Sequence, residues 1–222
     1  MKQLLCYGDS NTWGLIPGTQ QRYPWGIRWT SILQEKLESR KVRVIEEGLC
    51  GRTTVFEDAC RENRNGLKTL PLVLETHAPI DGVVIMLGTN DCKSFYHLNA
   101  DQITIGMEQC IDSLLTVIPG DHILLVSPIY LGEKVWKLGF DPEFDQRSVE
   151  VVRELQFAYR KLAGQKGIRM LAASDFAIPS EIDQQHMTPE GHAALAEAIC
   201  ANIQAMNSHE PGNTIECSGE TV

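Results

Sequence analysis

Leu4-Leu5-Cys6-Tyr7-Gly8-Asp9-Ser10-Asn11-Thr12 is an apolar run that turns polar at Gly8. A short run buried on both faces that empties into a loop marks the carboxyl end of an interior parallel strand. In open α/β sheets the chemistry gathers outside those ends. A serine two residues after a glycine can present its hydroxyl in a cleft there. Gly, Asp, Ser and Asn are also turn formers. The stretch alone therefore leaves a turn and a nucleophile both open, and the rest of the chain decides between them.

Working outward, strand signals alternate with helix signals. After a Gly- and Pro-punctuated loop, apolar spacing predicts a helix over 27–39, with Ile32, Leu33 and Leu37 on one face. A second strand is expected over 42–48, ending at Gly48. Residues 59–65 are charged and read as loop, and 67–76 as helix. Val83-Val84-Ile85-Met86-Leu87 is the clearest strand, apolar on both faces. A helix over 101–117, a strand over 123–126, an irregular aromatic-rich stretch over 129–145 and a helix over 143–166 follow, the last ended by Gly167. A short strand over 168–171 and a last helix over 189–206 complete the pattern, with Pro189 in its first turn and Thr188 as N-cap. Five strands alternating with helices imply a parallel sheet covered on both faces, a three-layer α/β/α sandwich. No repeat or linker interrupts it. One domain is expected over 1–206 and a polar tail over 207–222.

The bulk properties narrow the function. A chain of 222 residues suits one α/β domain, and its net charge of −9 gives nucleic acid no electrostatic footprint. The apolar run ending at Tyr7 is too short for a signal core, and no stretch approaches the roughly 18 apolar residues of a membrane span. Seven cysteines, at 6, 50, 60, 92, 110, 200 and 217, form no Cys-x-x-Cys pair. They read as reduced, mostly buried thiols of a cytoplasmic protein rather than a disulfide framework or catalytic thiols.

Three polar segments directly follow predicted strands: Gly8-Asp9-Ser10, Gly48-Leu49-Cys50-Gly51-Arg52-Thr53-Thr54, and Gly88-Thr89-Asn90-Asp91. In a parallel sheet all three emerge on one edge. A fourth, Asp183-Gln184-Gln185-His186, precedes the last helix. Asp and His three residues apart in a turn can touch, leaving the other ring nitrogen to face a serine. In this order the four segments resemble the GDSL/SGNH hydrolase superfamily, over Leu4 to His192. The longer runs Cys6–Gly14, Ile45–Leu49, Gly51–Thr54 and Ile85–Asp91 look most like its small-ester, arylesterase/acyltransferase-type members.

The resemblance implies a flavodoxin-like SGNH hydrolase fold and the roles that follow. Ser10 is the nucleophile, His186 the general base and then acid, and Asp183 its orienting carboxylate. The N–H groups of Ser10 and Gly51 and the amide of Asn90 form the oxyanion hole. The chemistry needs these residue types. A serine hydroxyl is a poor nucleophile until a base takes its proton. Glycine lets a backbone N–H approach closely, and an asparagine amide is a neutral donor. The Gly-x-Ser-x-Gly elbow of α/β-hydrolases is absent from the sequence. Asn11 departs from the motif, which has leucine there. Asn11 and Trp13 are the candidate substrate-pocket residues. Trp25, Trp29, Trp136 and Phe140 lie in or beside loops on the same edge, where they can line a pocket or pack against another subunit of a homo-oligomer. A metal grouping of Asp9, Asp183, His186 and His192 lacks ligand spacing. No metal or cofactor is expected. His192 is read instead as a helix residue that helps position the loop.

The expected function is a serine esterase that hydrolyses small, acetyl-type carboxylic esters through an acyl-serine intermediate. Acyl transfer to another alcohol is a natural side activity. The substrate is a small-molecule ester, with no nucleic-acid or membrane partner. The alternatives are a carbohydrate O-deacetylase and a carbohydrate-binding protein that keeps the fold without turnover.

Overall fold

The computed structural model describes residues 1–207. Its centre is a five-stranded, fully parallel sheet in the order β2-β1-β3-β4-β5. The strands are β1 (Lys2–Gly8), β2 (Val42–Gly48), β3 (Gly82–Met86), β4 (Ile123–Ser127) and β5 (Arg169–Ala172). The helices are α1 (Ser10–Trp13), α2 (Trp29–Leu37), α3 (Gly66–Thr76), α4 (Ala100–Leu115), α5 (Gln146–Lys166) and α6 (Pro189–Asn207). The expected three-layer sandwich is what forms. The end of the polar tail, 208–222, lies outside the described residues.

Side chains on a strand alternate between its two faces, and the cores follow that period. Leu5, Tyr7, Val83, Ile85 and Leu125 pack with Leu70 of α3, Ile103 and Met107 of α4 and Leu155 of α5. Leu4, Cys6, Val84, Met86, Leu124 and Val126 pack on the opposite face with Trp29 and Leu33 of α2 and Leu195 and Ile199 of α6. Fully buried side chains such as Leu33, Leu195 and Ile199 each contribute about 1.5–3 kcal/mol relative to an exposed position. Trp29 belongs to this core and is fully buried, so it lines no pocket, contrary to one option left by the sequence.

The chain runs outward from β1 to β2, then returns to the other flank of β1 for β3. The order therefore reverses between β1 and β3, and such switch points hold the binding crevice of doubly wound sheets. The register pairs Gly8 with Gly48 and with Met86, so three strand ends finish level. Gly48 must be glycine. A Cβ there would stand 2.2 Å from the backbone nitrogen of Trp13, where α1 crosses over the end of β2.

Most element ends shift by one or two residues from expectation, and two larger differences have a local cause. The segment after Ser10 is not loop but the single turn α1. Asp9 caps it by accepting from Asn11 N–H at 2.9 Å, and Gly14 closes it in the left-handed region. Four residues are too few for helical periodicity to register. α5 starts at Gln146 because Asp145 and Ser148 form a reciprocal capping box.

Candidate active site

Ser10 is the first residue of α1, directly beyond the end of β1. At that position a backbone N–H has no partner inside the helix. The residue is 8% exposed. Its Oγ lies 2.8 Å from Nε2 of His186, and Nδ1 of the same ring lies 2.7 Å from Oδ2 of Asp183. The turn 183–186 holds this geometry itself. Asp183 Oδ1 accepts the backbone N–H groups of Gln185 (3.1 Å) and His186 (3.0 Å), and Oδ2 also accepts Gly18 N–H at 3.0 Å. Burial pushes the Asp183 carboxyl up. The hydrogen bonds and charge of His186 and the backbone donors outweigh it and hold the group below the usual aspartate range.

Gly51 sits in the turn after β2 with φ +86°, a left-handed conformation suited to glycine. A Cβ there would lie 2.7 Å from the Arg61 guanidinium carbon, a contact the flexible arginine can relieve by moving, so the positive φ is what calls for glycine. Asn90 follows β3 and donates through Nδ2 to Arg52 O at 3.0 Å. An amide nitrogen carries two protons. One is spent on Arg52 and the second remains for the cleft that Asn90 lines.

Further ties join the three strand ends. The buried Arg52 guanidinium donates to Gly8 O (2.8 Å) and to Glu47 O, and stacks on the Tyr7 ring at 4.0 Å. The fully buried Asp91 accepts from Thr54 N–H (2.9 Å) and from Thr54 Oγ1 (2.5 Å). Burial is the largest influence on Asp91; opposed by the Thr54 bonds and helped by the Asp9 charge, it leaves the carboxyl pushed up to about 6.

Ser10, Gly51, Asn90, Asp183 and His186 share one cleft of about 240 Å³. Asn11 and Trp13, the pocket candidates, are not among its lining residues. The Asn11 amide is engaged instead with Gln185 O and Met187 N–H. The Trp13 ring lies under the Arg22 guanidinium, 5.5 Å from its carbon. Trp25, Trp136 and Phe140 do not line the cleft either.

The lining residues that sequence reasoning missed include Leu15, Gly18 and Thr19 and four charged ones, Arg61, Lys93, Asp141 and Glu143. Lys93, with its side chain 4% exposed, pairs with Glu143 at 2.6 Å. Arg61 pairs with Asp58 at 2.7 Å. Asp141 accepts from Gln185 Nε2 at 3.1 Å. Charged residues in loops without periodicity read as solvated surface, so no local signal marked them.

Cys50 also lines the cleft. Burial, helped by the Asp9 charge, pushes its thiol up to about 11, so it is no thiolate near neutral pH. Cys92 is buried and donates to Gly88 O at 3.3 Å. His192 lies apart from the cleft on α6. Its Nδ1 accepts from Trp29 N–H at 3.3 Å, and Tyr23 meets the ring edge-on. Burial first, then the charges of His186 and Arg28, lower it to about 4. Asp9 is committed to capping α1. Among the described residues no group of three His, Cys, Asp or Glu is placed to hold a metal ion, and no helix is long and apolar enough to cross a membrane.

Comparison with known proteins agrees with this geometry. The model of the GDSL-like lipase/acylhydrolase family matches residues 6–194. The curated proteins yielded no match. Among solved structures, an aryl esterase from M. smegmatis is 31% identical, with 93% of this chain and 100% of that chain covered and a TM-score of 0.86. Est24, a carbohydrate acetylesterase from Sinorhizobium meliloti, is 34% identical, with 93% and 100% covered and a TM-score of 0.84. A carbohydrate acetylesterase family member from the same organism is 35% identical, with 94% and 100% covered and a TM-score of 0.85. The chain belongs to the GDSL-like lipase/acylhydrolase family and is an ester-hydrolysing enzyme.

Proposed function

We propose that the protein is a cytoplasmic serine esterase that removes short acyl groups, acetyl above all, through an acyl-serine intermediate. One observation carries the reading: an unbroken hydrogen-bonded line from Ser10 Oγ through His186 to Asp183 that opens onto the cleft shared with Gly51 and Asn90. His186 Nε2 takes the Ser10 proton as Oγ attacks the ester carbonyl. The carbonyl oxygen becomes an anion and is met by the N–H groups of Ser10 and Gly51 and by the second amide proton of Asn90. Collapse expels the alcohol, which receives the proton from His186. Water then loses a proton to His186 and attacks the acyl-serine, releasing the acid and restoring Ser10. Asp183 keeps the ring in the tautomer that exposes Nε2. Replacing water by a second alcohol in the last step gives acyl transfer.

The small volume supports the preference for short acyl groups. Hydrolysis of p-nitrophenyl esters tests it: the acetate is expected to be cleaved fastest, and faster cleavage of esters of eight or more carbons contradicts the reading.

A specific observation favours a carbohydrate O-deacetylase as the finer reading. The described lining of the cleft contains no aromatic side chain and presents Arg61, Lys93, Asp141, Glu143 and Gln185. Such groups suit a leaving alcohol that carries hydroxyls better than an aryl ring. The two S. meliloti structures are carbohydrate acetylesterases by name. The test is kcat/KM for acetylated sugars against phenyl acetate. The sugar esters are expected to win, and a preference for phenyl acetate returns the function to the arylesterase side.

A further inference from the structure

Asn11 follows Ser10 at the position where the family motif has leucine. A leucine there can make no hydrogen bond, whereas the asparagine makes two. Nδ2 donates to Gln185 O at 3.2 Å, and Oδ1 accepts from Met187 N–H at 3.1 Å. These two peptide groups stand immediately before and after His186. Asn11 is 4% exposed; its bond to Met187 N–H is buried and that to Gln185 O partly so, which limits competition from bulk water.

The other supports of the turn lie elsewhere. Ser180 N–H donates to His186 O at 2.8 Å, Asp183 accepts His186 N–H, and Gly18 N–H reaches Asp183. None of these touches α1. Among the described residues, the bonds that join α1 to the turn are the two from Asn11 and the Ser10–His186 contact itself.

We propose that Asn11 is a positioning residue that brackets His186 and sets the gap between its Nε2 and the Ser10 hydroxyl. Because it is the neighbour of the nucleophile in sequence, it makes the serine turn and the histidine turn one unit. The inference rests on the reading of Ser10 and His186 as nucleophile and base. Misplacing a reacting group by an ångström costs on the order of 10²-fold in rate. An amide that merely satisfied two buried peptide groups would protect stability and leave turnover alone.

The test compares Asn11→Leu, Asn11→Ala and Asn11→Asp in the full chain, assayed with p-nitrophenyl acetate well below each variant's Tm. Asn11→Leu and Asn11→Ala are expected to lose about 10- to 100-fold in kcat, with KM within about threefold of the parent. The downfield NMR signal of the His186 Nδ1 proton, held by Asp183, is expected to broaden as the ring gains freedom. Asn11→Asp keeps the acceptor for Met187 N–H and loses the donor to Gln185. It should keep more kcat than the alanine variant and still fall by several-fold. Should the leucine and alanine variants fail to fold, the aspartate variant decides.

A folded variant with kcat within about twofold of the parent and an unchanged Nδ1 signal overturns the proposal, as does a loss confined to KM. Ser10→Ala and His186→Gln measured alongside separate the two levels. If either keeps more than about a tenth of the activity, the triad reading fails. If both are inactive while the Asn11 variants are fully active, only the bracket fails.

Discussion

Two unlike sets of residues wall the cleft, meeting where Arg61 stands against Gly51 and Gln185 donates to Asp141. One is built from Ser10, Gly51 and Asn90, which follow the ends of β1, β2 and β3, and from the 183–186 turn, which meets Ser10 through His186 and Asn11 through Gln185. Apart from the His186–Asp183 pair, its side chains and backbone N–H groups are uncharged. The other wall is Arg61, Lys93, Asp141 and Glu143, charged side chains carried by loops: Lys93 pairs with Glu143, Arg61 with Asp58, and Asp141 accepts from Gln185. The difference teaches a division of labour. Preorganised neutral donors stabilise developing charge without reorganising, so the first wall suits a reaction common to any ester. Long charged side chains can be exchanged without moving the sheet, so the second wall suits choice of alcohol.

Substitutions on the first wall sharpen that contrast most. Ser10→Ala is expected to lower kcat by about a million-fold, as in triads where the members act as a unit. Steady-state assays with p-nitrophenyl acetate check it, and CD verifies the fold. Asn90→Ala is expected to cost about 10²–10³ in kcat, the scale for one oxyanion donor. A loss below about tenfold would remove Asn90 from the oxyanion assignment.

Behind the first wall, two buried groups oppose each other in pH dependence. His192 falls to about 4 from an unfolded value of about 6.5. The unfolded chain therefore binds the extra proton, and stability is lost as pH falls from 6.5 to 4. At 1.36 kcal/mol per unit the loss reaches about 3 kcal/mol. Asp91 is raised to about 6 from 3.8. The native state binds that proton, so stability is lost as pH rises from 3.8 to 6, again by about 3 kcal/mol. In the parent the two slopes nearly cancel. Urea unfolding from pH 4 to 6.5 is expected to show His192→Gln losing stability as pH rises, and Asp91→Asn losing it as pH falls. Parallel slopes in both variants would refute the assignment.

The smallest effects are expected on the second wall. Asp141→Asn and Arg61→Gln should change KM and the ratio of sugar acetate to phenyl acetate hydrolysis by about tenfold or less, with kcat for p-nitrophenyl acetate nearly unchanged. A collapse of kcat for every ester would erase the division between the walls.

This division also explains what could be read without coordinates. The strand runs at Leu4 and Val83, and the polar segments behind them, were legible because buried parallel strands and their loops have a period and a composition. The 183–186 pair was legible because its two members are neighbours in sequence. α1 was not, since a single capped turn carries no repeat. Asn11 reads as a pocket residue from sequence because its side-chain direction depends on where the distant turn at 185–187 lies. Trp29 sat beside loop aromatics but faces the α6 core. The charged wall was hidden because Arg61 and Asp141 are brought together only by tertiary structure.

The most direct measurement of the central claim is labelling with a fluorophosphonate, read by intact mass and peptide mapping. One adduct per chain is expected, on Ser10, abolished in Ser10→Ala and strongly slowed in His186→Gln. An adduct on another residue, or none on Ser10 in the folded, turning-over enzyme, would contradict it.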